Sequence, residues 1–229
     1  MGAQTNEQIT LLTDYDPNSN YSVAYQTLYT NIRLSWQNTM QGQIQTVLLT
    51  TPAPFSGSAI AVANVAIAAA QNGIATILID ADLHTPHLHR LLTPNEQTGL
   101  SDILAASTSQ SQQIISHLHK TTIPDLRFLG SGSIIQQYTE SSRLLSIHIK
   151  IFLHKLQQEL QEQEQRQHII IINSSPVLSG VDTSLISANV DQTFLLIAKD
   201  HTTGIQAKKA QEQLERAHTQ LTGLVMLDI

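Results

Sequence analysis

Short apolar runs alternate along the chain with longer stretches in which apolar residues recur every three or four positions. The short runs are typical of buried strands, and the longer period is typical of helices. The pattern predicts strands over residues 44–50, 74–79, 126–129, 168–172, 193–198 and 224–227. It predicts helices over residues 23–36, 59–71, 99–106, 110–118, 141–165, 183–188 and 204–220, with His117 and His119 on the surface of the fourth.

Strands that are apolar on both faces and alternate with helices indicate a three-layer α/β fold. We expect a doubly wound, mostly parallel sheet covered by helices on both sides. No internal repeat or linker divides the chain, so one domain is predicted over residues 22–229. Residues 1–21 are polar and contain several turn-forming residues, which predicts a flexible N-terminal arm.

The composition narrows the classes of function. With 229 residues, 41% of them hydrophobic, the chain is expected to be globular with a sizeable core. A net charge of −6 without a Lys/Arg cluster argues against nucleic acid or an anionic membrane surface as the partner. The absence of cysteine excludes disulfides and zinc–thiolate sites. No signal peptide and no apolar run of about 18 residues is present, so we expect a cytoplasmic protein with no membrane-inserted segment.

Residues 47–64 have the strand–loop–helix setting of a phosphate-binding loop. The working motif needs Gly-Lys-Ser/Thr at the turn, where the Lys contacts the β- and γ-phosphates and the hydroxyl binds Mg²⁺. In this chain Gly57 is followed by Ser58 and Ala59, so the cation and the metal-binding hydroxyl are both missing. The segment has the outline of a phosphate site without its main chemical groups.

Polar residues follow two of the predicted strands at the edge where ligands bind in such a sheet. Asp80 and Asp82 follow the second strand, and Asn173 follows the fourth. Because Mg²⁺ prefers hard oxygen ligands, Asp80 and Asp82 are candidate metal ligands, and candidate catalytic residues if the protein is active. The alternative is that Asp80 caps the edge of the sheet and Asp82 caps a following turn. The segment alone leaves both open.

An ordered series of motifs carries a family resemblance over nearly the whole chain. The motifs are AYQTLYTNIRLS at residues 24–35, NVAIAAAQNGIATILIDADLHTPHLH at 64–89, GLSDIL at 99–104, Glu140, Ser-Pro-Val at 175–177, Asp182 and Asp191. They resemble the cytoplasmic bacterial protein-tyrosine kinases (BY-kinases) of capsule and exopolysaccharide synthesis, which are relatives of the MinD/ParA ATPases. The resemblance implies a Rossmann-like P-loop NTPase fold and ATP or ADP with Mg²⁺ as the cofactor.

The chain departs from the family at the positions that carry its chemistry. The family's PGEGKST loop corresponds to Pro54, Phe55, Ser56, Gly57, Ser58, Ala59 and Ile60. The family's Lys is Ser58, its metal-binding hydroxyl is Ala59, and its first loop Gly is Phe55. The extra signature Lys of the MinD branch falls at Ala53. Prolines at 52 and 54 further reduce the number of backbone N–H groups available to an anion.

Other motifs of the family are altered as well. The Walker B Asp is Asn173, and the two Arg that follow the second acidic motif are His84 and Thr85. Removing one charge-stabilising group commonly costs about 10²–10³ in rate, so several losses together predict weak nucleotide binding and inefficient turnover. The resemblance places Asp228 near the adenine.

The self-assembly motifs of the family also differ here. The helix motif ExxRxxR, which resembles a subunit-interface element, reads Val23, Gln26 and Tyr29, so the oligomer interface is degenerate. The tyrosine tail that these kinases autophosphorylate has no counterpart before Ile229.

These features favour a catalytically impaired BY-kinase-like domain that regulates or scaffolds polysaccharide synthesis. Its expected partner is a membrane-embedded polysaccharide co-polymerase or an active kinase paralogue, which would recruit it to the inner face of the membrane. Two alternatives stay open. One is an active tyrosine kinase or ATPase in which Asp80 and Asp82 hold Mg²⁺, and the other is a MinD/ParA-like switch that binds nucleotide without turning it over.

Two further interpretations concern histidines and tyrosines. His84, His87 and His89 would suit zinc, but no further ligand completes a known spacing. Tyr25 and Tyr29 lie one helical turn apart and are candidate phosphorylation sites, although packing of the first helix is the simpler prediction.

Overall fold

A seven-stranded sheet forms the centre of the computed structural model, which describes residues 10–37, 44–92, 98–106, 113–219 and 221–228. Its strands are β1 (Ile44–Thr50), β2 (Ala75–Ala81), β3 (His119–Lys120), β4 (Leu126–Leu129), β5 (His168–Ser174), β6 (Gln192–Ala198) and β7 (Leu221–Leu227). They lie in the order β3-β4-β2-β5-β1-β6-β7, and only β3 pairs antiparallel with its neighbour. The predicted doubly wound, mostly parallel α/β fold is confirmed.

Helices cover both faces of the sheet. They are α1 (Asn20–Gln37), α2 (Ser58–Gln71), α3 (His89–Leu92), α4 (Leu100–Ala105), α5 (Tyr138–Gln163), α6 (Asp182–Ser187) and α7 (Gly204–Arg216). One hydrophobic cluster joins α1 and α2 to one face, and two clusters join the remaining longer helices to the other. The alanines of α2 from Ala61 onward are buried because small side chains let this helix lie close to the central strands. No helix in the described parts of the chain is long and apolar enough to cross a membrane.

The prediction of a flexible arm over residues 1–21 is wrong for Thr10–Tyr21. Leu12 is 2% exposed within the α1–α2 cluster, and its backbone N–H donates to Asn64 Oδ1 at 2.8 Å. The Asn64 amide donates to the Thr10 carbonyl at 3.2 Å and to the Tyr21 hydroxyl at 2.9 Å. These contacts attach the segment to α2. Residues 1–9 lie outside the described residues.

The predicted helix over residues 110–118 is also wrong where the structure describes it. Ile114–His117 forms a single 3-10 turn, and β3 begins at His119, which is therefore a strand residue. The first part of that prediction, residues 110–112, lies outside the described residues. Tyr25 and Tyr29 are 6% and 2% exposed, as packing of the first helix predicts.

Candidate functional site

The topology brings the predicted site residues together at the carboxyl ends of the central strands. β5 lies between β1 and β2, so the loop after β1 is next to the end of β5, and the end of β5 is next to the end of β2. In the β2–β5 register Asp80 is directly opposite Asn173. This edge is where ligands bind in open parallel sheets.

Asp80 is fully buried and its carboxylate is held by the protein itself. Asn173 Nδ2 donates to Asp80 Oδ1 at 2.9 Å, and the backbone N–H of Asp82 donates to the same oxygen at 3.2 Å. The Leu88 N–H lies 3.4 Å from Oδ2. Burial raises the pKa of the Asp80 carboxyl from 3.8 to about 7, although the Asn173 amide opposes the rise. Asp80 and Asn173 are therefore joined by a hydrogen bond, and the Asp80 acid is partly protonated at neutral pH.

Asp82 caps the turn that follows β2. Its Oδ1 accepts from the backbone N–H groups of His84 at 3.1 Å and Thr85 at 3.0 Å, and from Ser175 Oγ at 3.1 Å. Its Oδ2 accepts from Thr85 Oγ1 at 2.9 Å. The side-chain oxygens of Asp82 are thus used to fix the loop, which is the capping role that the sequence left open.

Backbone hydrogen bonds, most of them from the segment after β5, hold the loop after β1. Gly57 has φ 92°, a left-handed conformation that glycine adopts without strain, and it leads into α2. The Ser58 N–H points to the Phe55 carbonyl at 3.4 Å. The carbonyls of Thr51 and Pro52 accept from the segment after β5 at 2.8 and 3.1 Å. The loop follows the course of a phosphate loop, yet no Lys or Arg occurs in residues 51–60.

An aromatic contact spans this loop and the loop after β6. The ring centroids of Phe55 and His201 are 6.5 Å apart and their planes differ by 22°. Phe55 occupies the position at which a glycine would let a ligand approach the backbone closely. At the end of β7, Asp228 pairs with Lys199 Nζ at 3.1 Å, and this pairing raises the pKa of Lys199. Asp228, which the resemblance places on the adenine side, thus forms an ion pair that links the ends of β6 and β7.

His84 forms a cluster that the sequence did not predict. Its Nδ1 lies 2.7 Å from the Ile135 carbonyl oxygen and its Nε2 lies 2.9 Å from Asp182 Oδ2. Ser141 Oγ also lies 3.1 Å from Nε2, so both ring nitrogens have polar partners. The Tyr138 ring packs on the imidazole with a centroid separation of 3.9 Å, and Ser142 Oγ donates to Asp182 Oδ1 at 2.7 Å. His84 thus ties the loop after β2 to the starts of α5 and α6.

The residues present do not fit the Mg²⁺ ion that the fold implies. The neighbour of Asp80 offers an amide N–H rather than a carboxylate, and the Asp80 acid is partly neutral. Asp82 is occupied by four protein donors. A hard divalent ion needs anionic or carbonyl oxygens that are free to face it. Within the described residues no group of three or more His, Asp or Glu side chains could hold a metal, so His84, His87 and His89 do not form a zinc site there.

Comparisons with known proteins agree with the fold and the motifs. No family model matches the chain. The chain is 29% identical over 212 residues to tyrosine-protein kinase YwqD of Bacillus subtilis. This alignment covers 92% of this chain and 82% of that protein. It is 25% identical over 183 residues to tyrosine-protein kinase ptk of Acinetobacter johnsonii, covering 80% of this chain but only 23% of the relative.

A solved structure shares the fold over almost the entire chain. The kinase domain of Escherichia coli tyrosine kinase ETK superposes with a TM-score of 0.80 at 19% identity, covering 95% of this chain and 79% of that one. The MinD cell division ATPase of Pyrococcus furiosus is more distant, with a TM-score of 0.61, 15% identity, and 80% and 71% coverage. The ordered motifs, the sequence relatives and the shared fold together show that the chain is similar to the bacterial protein-tyrosine kinases (BY-kinases).

Proposed function

We propose that this chain is a catalytically impaired BY-kinase domain that regulates or scaffolds capsule or exopolysaccharide synthesis. It acts in the cytoplasm by binding a partner, either a membrane-embedded polysaccharide co-polymerase or an active kinase paralogue. The partner recruits it to the inner face of the membrane. The domain therefore contributes a binding surface in place of phosphoryl transfer.

The observation that carries the proposal is the contact of Asn173 with Asp80. An amide N–H stands 2.9 Å from the Asp80 carboxylate, at the position where the resemblance implies a second acid that would help to hold a divalent ion. The hydrogen bond gives the buried oxygen a polar partner without a metal. Two acids at this position would repel each other unless a cation joined them.

The loop after β1 supports the same conclusion. Phosphoryl transfer depends on positioning and on neutralising the charge that develops on the phosphate oxygens. Ser58 and Ala59 supply neither the cation nor the metal-binding hydroxyl, and Phe55 contacts His201 across the loop. Because each missing group commonly costs about 10²–10³ in rate, turnover is expected to be negligible even if the effects are not additive.

Calorimetry with ATP and ADP, with and without Mg²⁺, tests this proposal. We expect no micromolar binding by the natural chain. The triple variant Phe55→Gly/Ser58→Lys/Ala59→Thr restores the three altered loop groups and is expected to gain nucleotide affinity. Ser56→Lys serves as the control, because it adds the same charge at an exposed neighbouring position.

The alternative is an active tyrosine kinase that uses Asp80 and Asp82, the two acids that the chain retains. Incubation of the purified protein with Mg-ATP, followed by detection of phosphotyrosine, separates the two functions. Phosphotyrosine that appears in the natural chain and disappears in Asp82→Asn would establish the enzyme and overturn the proposal. Nucleotide binding without phosphotyrosine would instead support a MinD/ParA-like switch.

A further inference from the structure

A cavity of about 330 Å³ opens at the edge of the sheet opposite the candidate functional site. Its walls are the turn between β3 and β4, the start of β4, and the segment that joins α5 to β5. Because β4 and β5 both run parallel to β2, their first residues lie at the end of the sheet away from Asp80 and Asn173. We call it the β3–β4 cavity. Its volume is at the lower end of the roughly 300–1,000 Å³ of small-molecule sites.

Two cations stand opposite each other at the wall of the β3–β4 cavity. Lys120 pairs with Arg127 in the antiparallel register of β3 and β4, and both residues line the cavity. Directly opposite residues share one face of a sheet, and like charges in this position lower stability. Glu164 offsets one of the charges, because its Oε1 lies 2.7 Å from Arg127 Nη1. Lys120 forms no ion pair within the described parts of the chain, so its charge is not offset.

Arg127 also has a hydrogen-bond donor that the protein does not use. Its Nη2 is buried, and no acceptor among the described residues lies within hydrogen-bond distance of it. A buried donor without an acceptor is unfavourable, and most such groups in folded proteins have a partner. Because Arg127 lines the cavity, an oxygen atom of a ligand bound there would supply the missing acceptor.

Arg166 adds a third positive charge to the cavity. Its Nη1 lies 2.7 Å from Asp125 Oδ1, and its Nε lies 3.4 Å from Glu164 Oε2. The cavity is thus lined by three cations and two carboxylates. Three of the chain's 12 Lys and Arg residues meet here, although the chain as a whole carries a net charge of −6. The excess of positive charge and the unused donor favour an anionic ligand.

The remaining donors suit a phosphate group better than a carboxylate. A carboxylate is held best by two parallel N–H groups of one guanidinium, and both arginines already use part of theirs on Glu164 and Asp125. A phosphate group carries about −1.5 to −2 charges at neutral pH and accepts single donors at three oxygens, including the point charge of a Lys. We propose that the β3–β4 cavity binds the phosphate group of a small phosphorylated molecule, held between Lys120 and Arg127.

The apolar part of the cavity gives the rest of such a molecule a place. Ile123 and Pro124 line the cavity, the first buried against the cluster of α1 and α2 and the second exposed. Covering apolar surface of this kind with a short carbon chain is favourable. The cavity shares no residue with the candidate functional site, so this proposal does not depend on whether that site binds nucleotide.

NMR titration of the ¹⁵N-labelled full chain with inorganic phosphate tests the site. The ionic strength is held constant with NaCl, and a parallel titration with acetate supplies a carboxylate. We expect shift changes in residues 119–127 and 164–168 that saturate at millimolar phosphate and that acetate does not reproduce. Equal changes with acetate would mean that anions only screen Lys120 from Arg127, and changes that do not saturate would mean that water fills the cavity. Either result would overturn the proposal.

Substitutions at Lys120 identify the residue that holds the anion. Lys120→Gln changes an exposed residue, so we expect the variant to fold and to bind phosphate about tenfold more weakly, as the loss of one charge-assisted hydrogen bond predicts. Lys120→Arg should keep most of the affinity. Lys209→Gln removes the same charge from α7 and is the matched control, which should bind like the natural chain. Unchanged affinity in Lys120→Gln, or an equal loss in the control, would refute the site.

Urea unfolding gives a readout that a merely structural role of Lys120 would not produce. Without phosphate, Lys120→Gln should unfold at the same or a higher urea concentration than the natural chain, because it relieves the repulsion with Arg127. With saturating phosphate, the natural chain should become the more stable of the two, since only its site is intact. Equal stabilisation of both chains by phosphate would contradict the assignment of Lys120.

Butyl phosphate distinguishes a phosphorylated molecule from the free ion. We expect this ester to bind more tightly than inorganic phosphate in the same titration, because its carbon chain covers the apolar wall at Ile123 and Pro124. Binding of the ester that is no tighter than that of inorganic phosphate would assign the cavity to the free ion, and would overturn the proposal of a phosphorylated molecule.

Discussion

Replacing Asp80 with Asn is expected to stabilise the protein at neutral and alkaline pH, but not near pH 4. Burial raises the pKa of this acid from 3.8 to about 7. Between pH 3.8 and about pH 7, this carboxyl therefore binds more protons in the folded state than in the unfolded chain. The free energy of unfolding of the natural chain therefore falls as pH rises from about 4 to about 7, and levels off above that range.

The size of the effect follows from the same values. At about 1.36 kcal/mol per pH unit, the rise in pKa corresponds to a cost of about 4 kcal/mol for holding the ionised acid above pH 7. Asp80→Asn keeps a carbonyl oxygen for the Asn173 amide and removes the charge. We expect a gain of up to about 4 kcal/mol near pH 8, which is roughly 8–16 °C in Tm for a domain of this size, and almost no gain near pH 4.

Urea unfolding of the natural chain and Asp80→Asn at several pH values between about 4 and 8 measures this difference. Asp200→Asn is the matched control, since it removes one charge at an exposed position whose φ of 62° suits Asn. The difference between the natural chain and the control should be small and nearly independent of pH. A difference between the natural chain and Asp80→Asn that does not grow with pH would refute the assignment of a raised pKa to Asp80.

Three further substitutions have distinct expected outcomes. Asn173→Asp removes the amide donor and sets a second acid against Asp80, so we expect a loss of about 2–4 kcal/mol near pH 8, partly recovered by millimolar Mg²⁺ in thermal unfolding. No loss, or no recovery, would contradict the metal-free account. His84→Ala leaves the buried Asp182 carboxylate without its 2.9 Å contact to the imidazole Nε2 and is expected to cost about 1–3 kcal/mol in urea unfolding. Asn64→Ala removes three hydrogen bonds to the N-terminal segment, so amide exchange in residues 10–15 should accelerate while exchange in the central strands stays unchanged.

The fold could be predicted because its strands are unusually uniform in sequence. Runs such as Ile169 to Ile172 are apolar on both faces, and this pattern occurs only where helices cover both sides of a sheet. The prediction was wrong where the structure depends on distant contacts. β3 has only two residues and forms through pairing with β4, so it leaves no periodic signal. The docking of Leu12 depends on Asn64, which lies 52 residues along the chain.

The candidate site shows the same division. The sequence was enough to bring together Asp80, Asp82 and Asn173, because parallel strands end at one edge of the sheet. The hydrogen-bond partners of these side chains could not be predicted. His84 reaches Asp182 across 98 residues, and the contact of Phe55 with His201 joins two loops that lie far apart in sequence. An acidic residue at the start of a helix, such as Asp182, looks like an ordinary cap until the position of its partner is known.

The central claim is that this domain no longer binds nucleotide in the way its family fold implies, and titration of the natural chain with Mg-ATP by calorimetry tests it directly. The account predicts a Kd weaker than about 1 mM for the natural chain, and a measurable gain for Phe55→Gly/Ser58→Lys/Ala59→Thr. A micromolar Kd for Mg-ATP in the natural chain would contradict it.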